Sequence, residues 1–176
     1  MNRVSTRRHR EEGGMKAPTH HIRCNPINIL MASPTEPMPD VDRKLLIAVY
    51  RALLDRLFVA DDTTVTDWNH VNFAVNWVQA MCENEYAEYT DELLEVRRHL
   101  RIALQRFYRE NKPIRITAEG FQVVDSLLSE LDDVLQQLSH RQSLKLMAYT
   151  AKREMEMRRG KCRAGDVTIA SLKEAA

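Results

Sequence analysis

The segment from Thr117 to Leu138 constrains the fold more than any other part of the sequence. Its apolar residues recur at spacings of three and four, namely Phe121, Val124, Leu128, Leu131, Leu135 and Leu138. Side chains three and four positions apart lie on one side of an α-helix, so these residues form a single stripe. Five acidic residues and no Lys or Arg occur in the same segment. A helix with a leucine-rich side cannot leave that side in water, so the pattern predicts other helices packed against it.

Four further segments show the same spacing of apolar residues, and each has the length of a helix. They are residues 41–59, 66–82, 90–112 and 143–159. In the first of them, the residues expected to point inward are Leu45, Val49, Ala52, Leu53 and Leu57. The chain has only 5 glycines and 6% aromatic residues, fewer than β proteins usually carry. The sequence therefore predicts an all-α protein, an antiparallel bundle of about five helices over residues 41–160.

Charged residues are arranged in blocks of alternating sign along these predicted helices. Residues 61–95 contain nine acidic residues and no Lys or Arg, whereas residues 96–116 contain seven basic residues and one acidic residue. Residues 139–163 are again mostly basic. Oppositely charged neighbouring helices attract, although each exposed pair contributes only about 0 to 1 kcal/mol. The blocks therefore indicate which helices are neighbours, and they predict that the basic last helix packs on the acidic helix 117–138.

The two ends of the chain lack this periodicity. Residues 1–40 contain five prolines and several arginines, which predicts a disordered arm, and residues 161–176 form a C-terminal tail. The codons for Glu11–Gly14 can form a purine-rich ribosome site just before Met15. We hypothesise that translation begins at Met15 or at Met31, which would place part of the arm upstream of the true start. Mass spectrometry of the native N-terminal peptide tests this hypothesis, and a peptide containing Asn2 would disprove it.

The composition predicts a cytoplasmic protein that does not enter a membrane. No apolar run approaches the roughly 18 residues that a membrane-spanning helix requires. The three cysteines, Cys24, Cys82 and Cys162, are odd in number and far apart, which favours reduced thiols over disulfides.

The sequence contains no pattern that predicts catalysis. It has no glycine-rich phosphate loop, no GxSxG, no HExxH and no paired CxxC. His20, His21 and Cys24 have ligand-like spacing, but a zinc site usually needs a second such cluster. The histidines of the predicted bundle fall on three different helices, namely His70, His99 and His140. We therefore predict no catalytic residues, no metal site, no cofactor and no enzymatic activity.

Two groups of basic residues are candidates for contact with a partner protein or a nucleic acid. On the predicted third helix they lie opposite the apolar side and are Arg97, Arg98, Arg101 and Arg109. On the last helix they fall within about 40° of one another, at about 100° per residue, and are Arg141, Lys145, Lys152 and Arg159. Such surfaces bind phosphate backbones, or they pair with acidic helices of the same bundle. The sequence leaves both interpretations open.

The predicted second helix has an unusually wide apolar side. Such a side predicts either a central helix packed on two sides or a helix that also meets a second copy of the chain. The candidate self-association residues are Trp68, Phe73, Trp77 and Met81. We therefore expect a homo-oligomer that forms either through this helix or through the leucine stripe of residues 117–138.

The second half of the chain has a recognisable order of features. An arginine-rich helix ends near a short polar turn, and a new helix begins around Thr117 to Val124. A last basic helix closes with Arg158–Arg159–Gly160 and is followed by Asp166–Val167. This order, which covers about half of the chain, is similar to that of small uncharacterised helical proteins carried by prophages and other mobile elements of Gram-negative bacteria. The resemblance implies an accessory, regulatory or anti-defence setting, and it assigns no activity and no functional residue.

Taken together, these features predict a non-catalytic accessory or regulatory protein that acts by binding another protein. The alternative is a nucleic-acid-binding regulator that uses the basic arm and the basic helix faces. Salt distinguishes the two, because phosphate binding weakens steeply as the salt concentration rises, whereas an apolar contact does not.

Overall fold

The computed structural model of the chain describes residues 26–86, 88, 90–110 and 112–159. Within these residues there are six helices: α1 (Pro26–Met31), α2 (Asp40–Val59), α3 (Val65–Glu83), α4 (Thr90–Glu110), α5 (Ala118–Gln137) and α6 (His140–Arg158). An isolated β-bridge between Pro37 and Ser139 is the single β-type pairing in this described part. The predicted all-α fold is confirmed. Helices α2 to α6 correspond to the five predicted helices, and α1 is additional.

Four of the helices close into a ring. Helix α2 packs on α3 and α5, and α4 packs on the same two helices. The ion pairs Arg43–Asp132 and Arg51–Asp125 join α2 to α5, and their order shows that the two helices are antiparallel. Helix α6 lies against α3 outside the ring, and α1 packs on α6.

The leucine-rich side of α5 lies in the core of this ring. Leu128, Leu131 and Leu135 are at most 1% exposed and belong to one apolar cluster that also contains Leu54 and Trp77. Full burial of a Leu side chain contributes about 1.5–3 kcal/mol. The predicted leucine stripe is therefore confirmed as a principal element of the core.

Helices α5 and α6 meet at a corner made of two extended residues, Leu138 and Ser139, both of which are buried. The backbone N–H of Gln142 donates to the Ser139 hydroxyl at 3.3 Å, and the backbone N–H of Ser139 donates to the Gln142 side-chain oxygen at 3.0 Å. This reciprocal capping box satisfies N–H groups that the first turn of a helix leaves unpaired. It starts α6 at His140, almost one turn before the predicted start at Ser143.

The predicted packing of the last helix along the acidic helix 117–138 is wrong. The corner directs α6 onto α3 instead. There Arg153 pairs with Glu83, and the Asn76 side chain donates to a carboxylate oxygen of Glu154 at 2.8 Å. The acidic end of α3 thus supplies the negative charge opposite α6, whereas the sequence predicts that α5 supplies it.

The structure also differs from the predicted disordered arm over residues 26–39. Pro26 begins α1, where its missing N–H costs nothing, and Ala32 and Met38 are buried. The Arg141 guanidinium donates to the carbonyl oxygens of Leu30 and Ala32 at 2.8 and 3.1 Å. Carbonyls at the end of a helix have no partner within the helix, so this arginine satisfies them. The contact joins residues 109 positions apart, which local periodicity cannot reveal.

Several predictions concern residues outside the described ranges. They include the rest of the basic arm up to residue 25, the cluster of His20, His21 and Cys24, and the tail 161–176. Among the described helices, none combines the length and the apolar composition needed to cross a membrane.

Candidate protein-binding surface

The outward side of α2 carries an apolar stripe that is exposed to solvent. We define the α2 outer stripe as Val41, Leu45, Ala48, Val49 and Ala52, all of which are exposed. Val41 is 77% exposed, Leu45 63% and Val49 45%. The steps from 41 to 45, 48 and 52 are four, three and four residues, so these side chains share one side of the helix over about three turns.

The exposure of this stripe contradicts the prediction of which side of α2 points into the core. Leu45, Val49 and Ala52 are exposed, although their spacing predicts burial. The buried residues of α2 are instead Arg43, Ile47, Tyr50, Leu54 and Leu57, of which Leu57 alone was predicted. Helix α2 has two apolar sides, and the ring buries the side with the larger residues, where Arg43 also reaches Asp132 of α5.

Two basic groups at the edges of the α2 outer stripe are paired within the chain. Arg51 donates to Asp125 at 2.9 Å and to the Ser129 hydroxyl at 2.8 Å, both on α5. The Lys44 ammonium lies 3.6 Å from the Asp40 carboxylate. A hydrogen bond from Arg43 and the charges of both basic residues hold the pKa of Asp40 below its usual value. Arg51 and Lys44 therefore flank the stripe with charges that already have partners, whereas no ion pair of the described residues involves the exposed Asp42 and Asp55.

A second group of exposed apolar side chains lies on α1. Ile27 is 63% exposed, Leu30 71% and Met31 82%. A helix of six residues is too short to be stable alone. Its docking on α6 through Arg141 therefore determines where these side chains are presented.

The α2 outer stripe has the form of a surface that binds an amphipathic helix. Ala48 and Ala52 are small enough to allow a second helix axis to approach to about 8 Å, the lower end of the usual range. Val41, Leu45 and Val49 offer larger side chains for burial. Helix-in-groove and coiled-coil partners are recognised through residues at this spacing. Single exposed apolar residues are common on protein surfaces, but five in register on one helix are typical of an interface.

The candidate self-association residues lie within the bundle of a single chain. Trp77 and Met81 are 0% exposed, so a second copy cannot reach them. Trp68 and Phe73 are half-buried, and the Trp68 indole N–H donates to the carbonyl oxygen of Leu100 in α4 at 2.9 Å. The wide apolar side of α3 is explained by its contacts with α2, α4 and α6. The assignment of a self-association surface to Trp77 and Met81 is therefore corrected.

Arg97 links three helices and does not belong to an exposed basic surface. Its guanidinium donates to the side-chain oxygen of Asn76 at 2.8 Å and to that of Gln79. Gln79 in turn donates to Glu83 at 2.8 Å, and Glu83 pairs with Arg153 of α6. Burial lowers the pKa of Arg97, and the charge of Glu83 opposes this shift. The network fastens α4 and α6 to the polar side of α3.

The other candidate basic residues of α4 differ in their surroundings. Arg98 is paired with Glu95, one turn earlier on the same helix, at 2.5 Å. Arg101 and Arg109 are exposed. Tyr108, next to Arg109, is 69% exposed. Two of the four predicted arginines of α4 are therefore available to an external ligand.

The basic residues of α6 are also divided between two roles. Arg141 is committed to the carbonyl oxygens at the end of α1. Lys145, Lys152 and Arg159 are exposed, and the Lys152 ammonium lies 4.0 Å from the Glu156 carboxylate. The predicted basic stripe thus retains three solvent-facing residues.

Comparison of the chain with protein-family models, with curated proteins and with solved structures finds no significant match. The function is therefore inferred from the surfaces of the chain itself.

Proposed function

We propose that this chain is a non-catalytic accessory or regulatory protein of the cytoplasm that binds a partner protein through the α2 outer stripe. The observation that carries the proposal is the exposure of Val41, Leu45 and Val49 on a helix whose opposite side is already packed in the core. The partner element is an amphipathic helix. We further propose a mobile-element setting for this role, because the order of features in the second half of the sequence resembles that of small helical proteins of prophages.

Energetics favour a partner over permanent exposure of the stripe. Complete burial of a Val or Leu side chain contributes about 1.5–3 kcal/mol, part of which offsets the loss of freedom on association. The flanking charges add little cost, because Arg51 and Lys44 keep their partners Asp125 and Asp40 when a helix covers the stripe. A helix with its own apolar side therefore binds without breaking these two ion pairs.

The experiment places a photo-crosslinking amino acid at position 48 of the full chain in its native host, and it maps the adduct by mass spectrometry. The affinity of the captured partner is then measured for the wild type, for Leu45→Lys and for Leu94→Lys. Leu94 on α4 is 45% exposed and lies outside the stripe, so it controls for the loss of an exposed apolar side chain.

We expect the crosslink to fall on a helix of another protein. We also expect Leu45→Lys to weaken that complex at least about tenfold, which is about 1.4 kcal/mol, while Leu94→Lys leaves it unchanged. A complex that survives Leu45→Lys contradicts the proposal. A crosslink found only to a second copy of this chain replaces the partner protein with self-association.

A second candidate function is nucleic-acid binding, favoured by the exposed Arg101, Tyr108 and Arg109 on one helix. Arginines contact phosphates, and an exposed aromatic ring stacks on bases. A mobility-shift titration tests this function. Tight binding at about 50 mM salt that is lost by about 300 mM would support it, and Arg101→Ala with Arg109→Ala should then weaken binding. Binding that does not depend on salt or on these arginines would contradict it.

A further inference from the structure

Three groups that commonly bind metal ions meet where α5 begins beside α4. Glu95 and His99 are one turn apart on α4, and Glu119 lies in the first turn of α5. One donor atom from each residue lies within 4.8 Å of the other two. The residues come from two helices, so an ion bound between them would connect α4 to α5.

The imidazole at the centre of this cluster is held in place by close packing. His99 is 5% exposed, and the position where residue 120 would carry a β-carbon lies 2.9 Å from its Nδ1 atom. Its other ring nitrogen, Nε2, lies 3.1 Å from a carboxylate oxygen of Glu95. The buried ring is thus oriented with Nε2 toward the carboxylate of Glu95.

Arg98 places a cation against two of these three groups. One of its terminal nitrogens lies 2.5 Å from Glu95 and 3.1 Å from His99 Nε2. The contacts of Nε2 with the Arg98 guanidinium and with the Glu95 carboxylate call for opposite roles, because the first needs a lone pair on Nε2 and the second needs an N–H. A neutral imidazole with its lone pair on Nε2 is the form that would bind a metal ion.

We propose that Glu95, His99 and Glu119 form a Zn²⁺ site that fills when the Arg98 side chain turns out to solvent. One imidazole and two carboxylates are a ligand set that zinc accepts, with water completing the tetrahedron. Zinc–ligand distances near 2.1 Å correspond to ligand atoms about 3.4 Å apart, so the glutamate side chains must move inward by roughly 1 Å. Arg98 and Glu95 are 45% and 40% exposed, which allows both side chains to reorient.

The proposed site predicts that two substitutions change the zinc affinity in opposite directions. The full chain is freed of metal with a chelator and then titrated with Zn²⁺ alone by calorimetry. We expect Glu119→Gln to weaken zinc binding at least about tenfold, because it removes a ligand. We expect Arg98→Ala to strengthen binding several-fold, because it removes the competing cation. Glu92→Gln on α4 is the control, because it removes the same charge as Glu119→Gln at a position outside the cluster. The zinc affinity of this variant should equal that of the wild type.

The midpoint of thermal unfolding provides a second measurement. Zinc should raise it for the wild type and for Glu92→Gln but not for Glu119→Gln, because a ligand that binds only the folded chain stabilises it. In chelator, Glu119→Gln and the wild type should unfold at the same temperature, which shows that the variant is folded. Weaker zinc binding by Arg98→Ala, or unchanged binding by Glu119→Gln, would overturn the site.

His20, His21 and Cys24 offer the chain a different set of zinc ligands, so a variant that replaces all three with Ala is titrated in parallel. We expect it to keep the affinity measured for the wild type and to remain sensitive to Glu119→Gln. If zinc binding disappears in this variant, the ion binds in the N-terminal segment and the proposed site is wrong. If the wild type does not bind zinc even at millimolar concentrations, the proposed site is also wrong.

Discussion

Gly120 lies directly against His99. A β-carbon at position 120 would be 2.9 Å from both Cβ and Nδ1 of the histidine and 2.8 Å from a side-chain carbon of Ile116. The hydroxyl of Thr117 caps the same turn by accepting the backbone N–H of Gly120 at 3.1 Å. The first turn of α5 therefore approaches α4 more closely than any residue with a side chain at position 120 would allow.

We predict that Gly120→Ala destabilises the chain by about 1–2 kcal/mol. Alanine is the better helix former by up to about 1 kcal/mol, but the added carbon would force α5 away from His99, at a cost of about 1–3 kcal/mol. Urea unfolding followed by circular dichroism measures the difference. Ser126→Ala, at an exposed position of the same helix, is the control and should be neutral or slightly stabilising. A stabilising Gly120→Ala would show that the two helices separate without cost.

We predict that Arg43→Ala costs about 2–3 kcal/mol of unfolding free energy. Arg43 is 4% exposed and joins Asp40 to Asp132 of α5, so its removal leaves the partly buried Asp132 carboxylate unpaired. Lys44→Ala removes a cation that contacts the same Asp40 at the surface, and it should change stability by less than about 0.5 kcal/mol. Equal effects of the two substitutions in chemical denaturation would contradict the role assigned to Arg43.

We predict that Arg141→Ala releases α1 without unfolding the ring. The carbonyl oxygens of Leu30 and Ala32 would lose the guanidinium that satisfies them, and α1 is too short to persist alone. Hydrogen exchange should become faster at the amides of residues 27–33 and stay unchanged in α4 and α5. Lys145→Ala, one turn further along α6, should leave the exchange of residues 27–33 as in the wild type. Unchanged protection of α1 in Arg141→Ala would mean that other contacts hold this helix.

We predict that the chain loses stability as the pH falls below about 4.5. Hydrogen bonds from Arg43, Arg98 and Lys112 lower the pKa values of Asp40, Glu95 and Glu110 respectively. A carboxyl whose pKa is lower in the folded chain stabilises that chain above its unfolded pKa, and the contribution disappears as the pH falls through the folded pKa.

Urea midpoints at pH 7 and pH 3, measured with chelator present, test this pH dependence. The difference between the two midpoints should be smaller for Glu95→Gln than for the wild type. Glu92→Gln, on the same helix, should show the wild-type difference. A wild-type midpoint that does not change between these pH values would refute the prediction.

The sequence predicts α5 well because its apolar residues form one stripe and its remaining sides are polar. It mispredicts α2 because that helix has two apolar stripes, at residues 41–45–48–52 and 47–50–54–57, with equally good helical spacing. Periodicity cannot choose between them. The side that the ring buries carries the larger apolar residues, and Arg43 beside them meets Asp132, a contact between residues 89 positions apart. The α2 outer stripe therefore becomes visible only in the folded chain.

Periodicity is equally insufficient to predict the surroundings of α4 and the proposed zinc ligands. The spacing of Glu95 and His99 is visible in the sequence, but the position of Glu119 beside them depends on the close approach at Gly120. The position of Arg97 on the polar side of α4 likewise predicts exposure. In the structure its guanidinium donates to Asn76 of α3. In both cases the deciding atoms belong to another helix.

The corner at Leu138 and Ser139 fixes the rotational phase of α6 relative to α5. One extra residue at this joint would turn α6 by about 100° about its own axis. The side of α6 that contains Arg153 would then rotate away from Glu83, and Arg141 would no longer reach the end of α1. The length of this joint is therefore as essential to the architecture as the chemical identity of its residues.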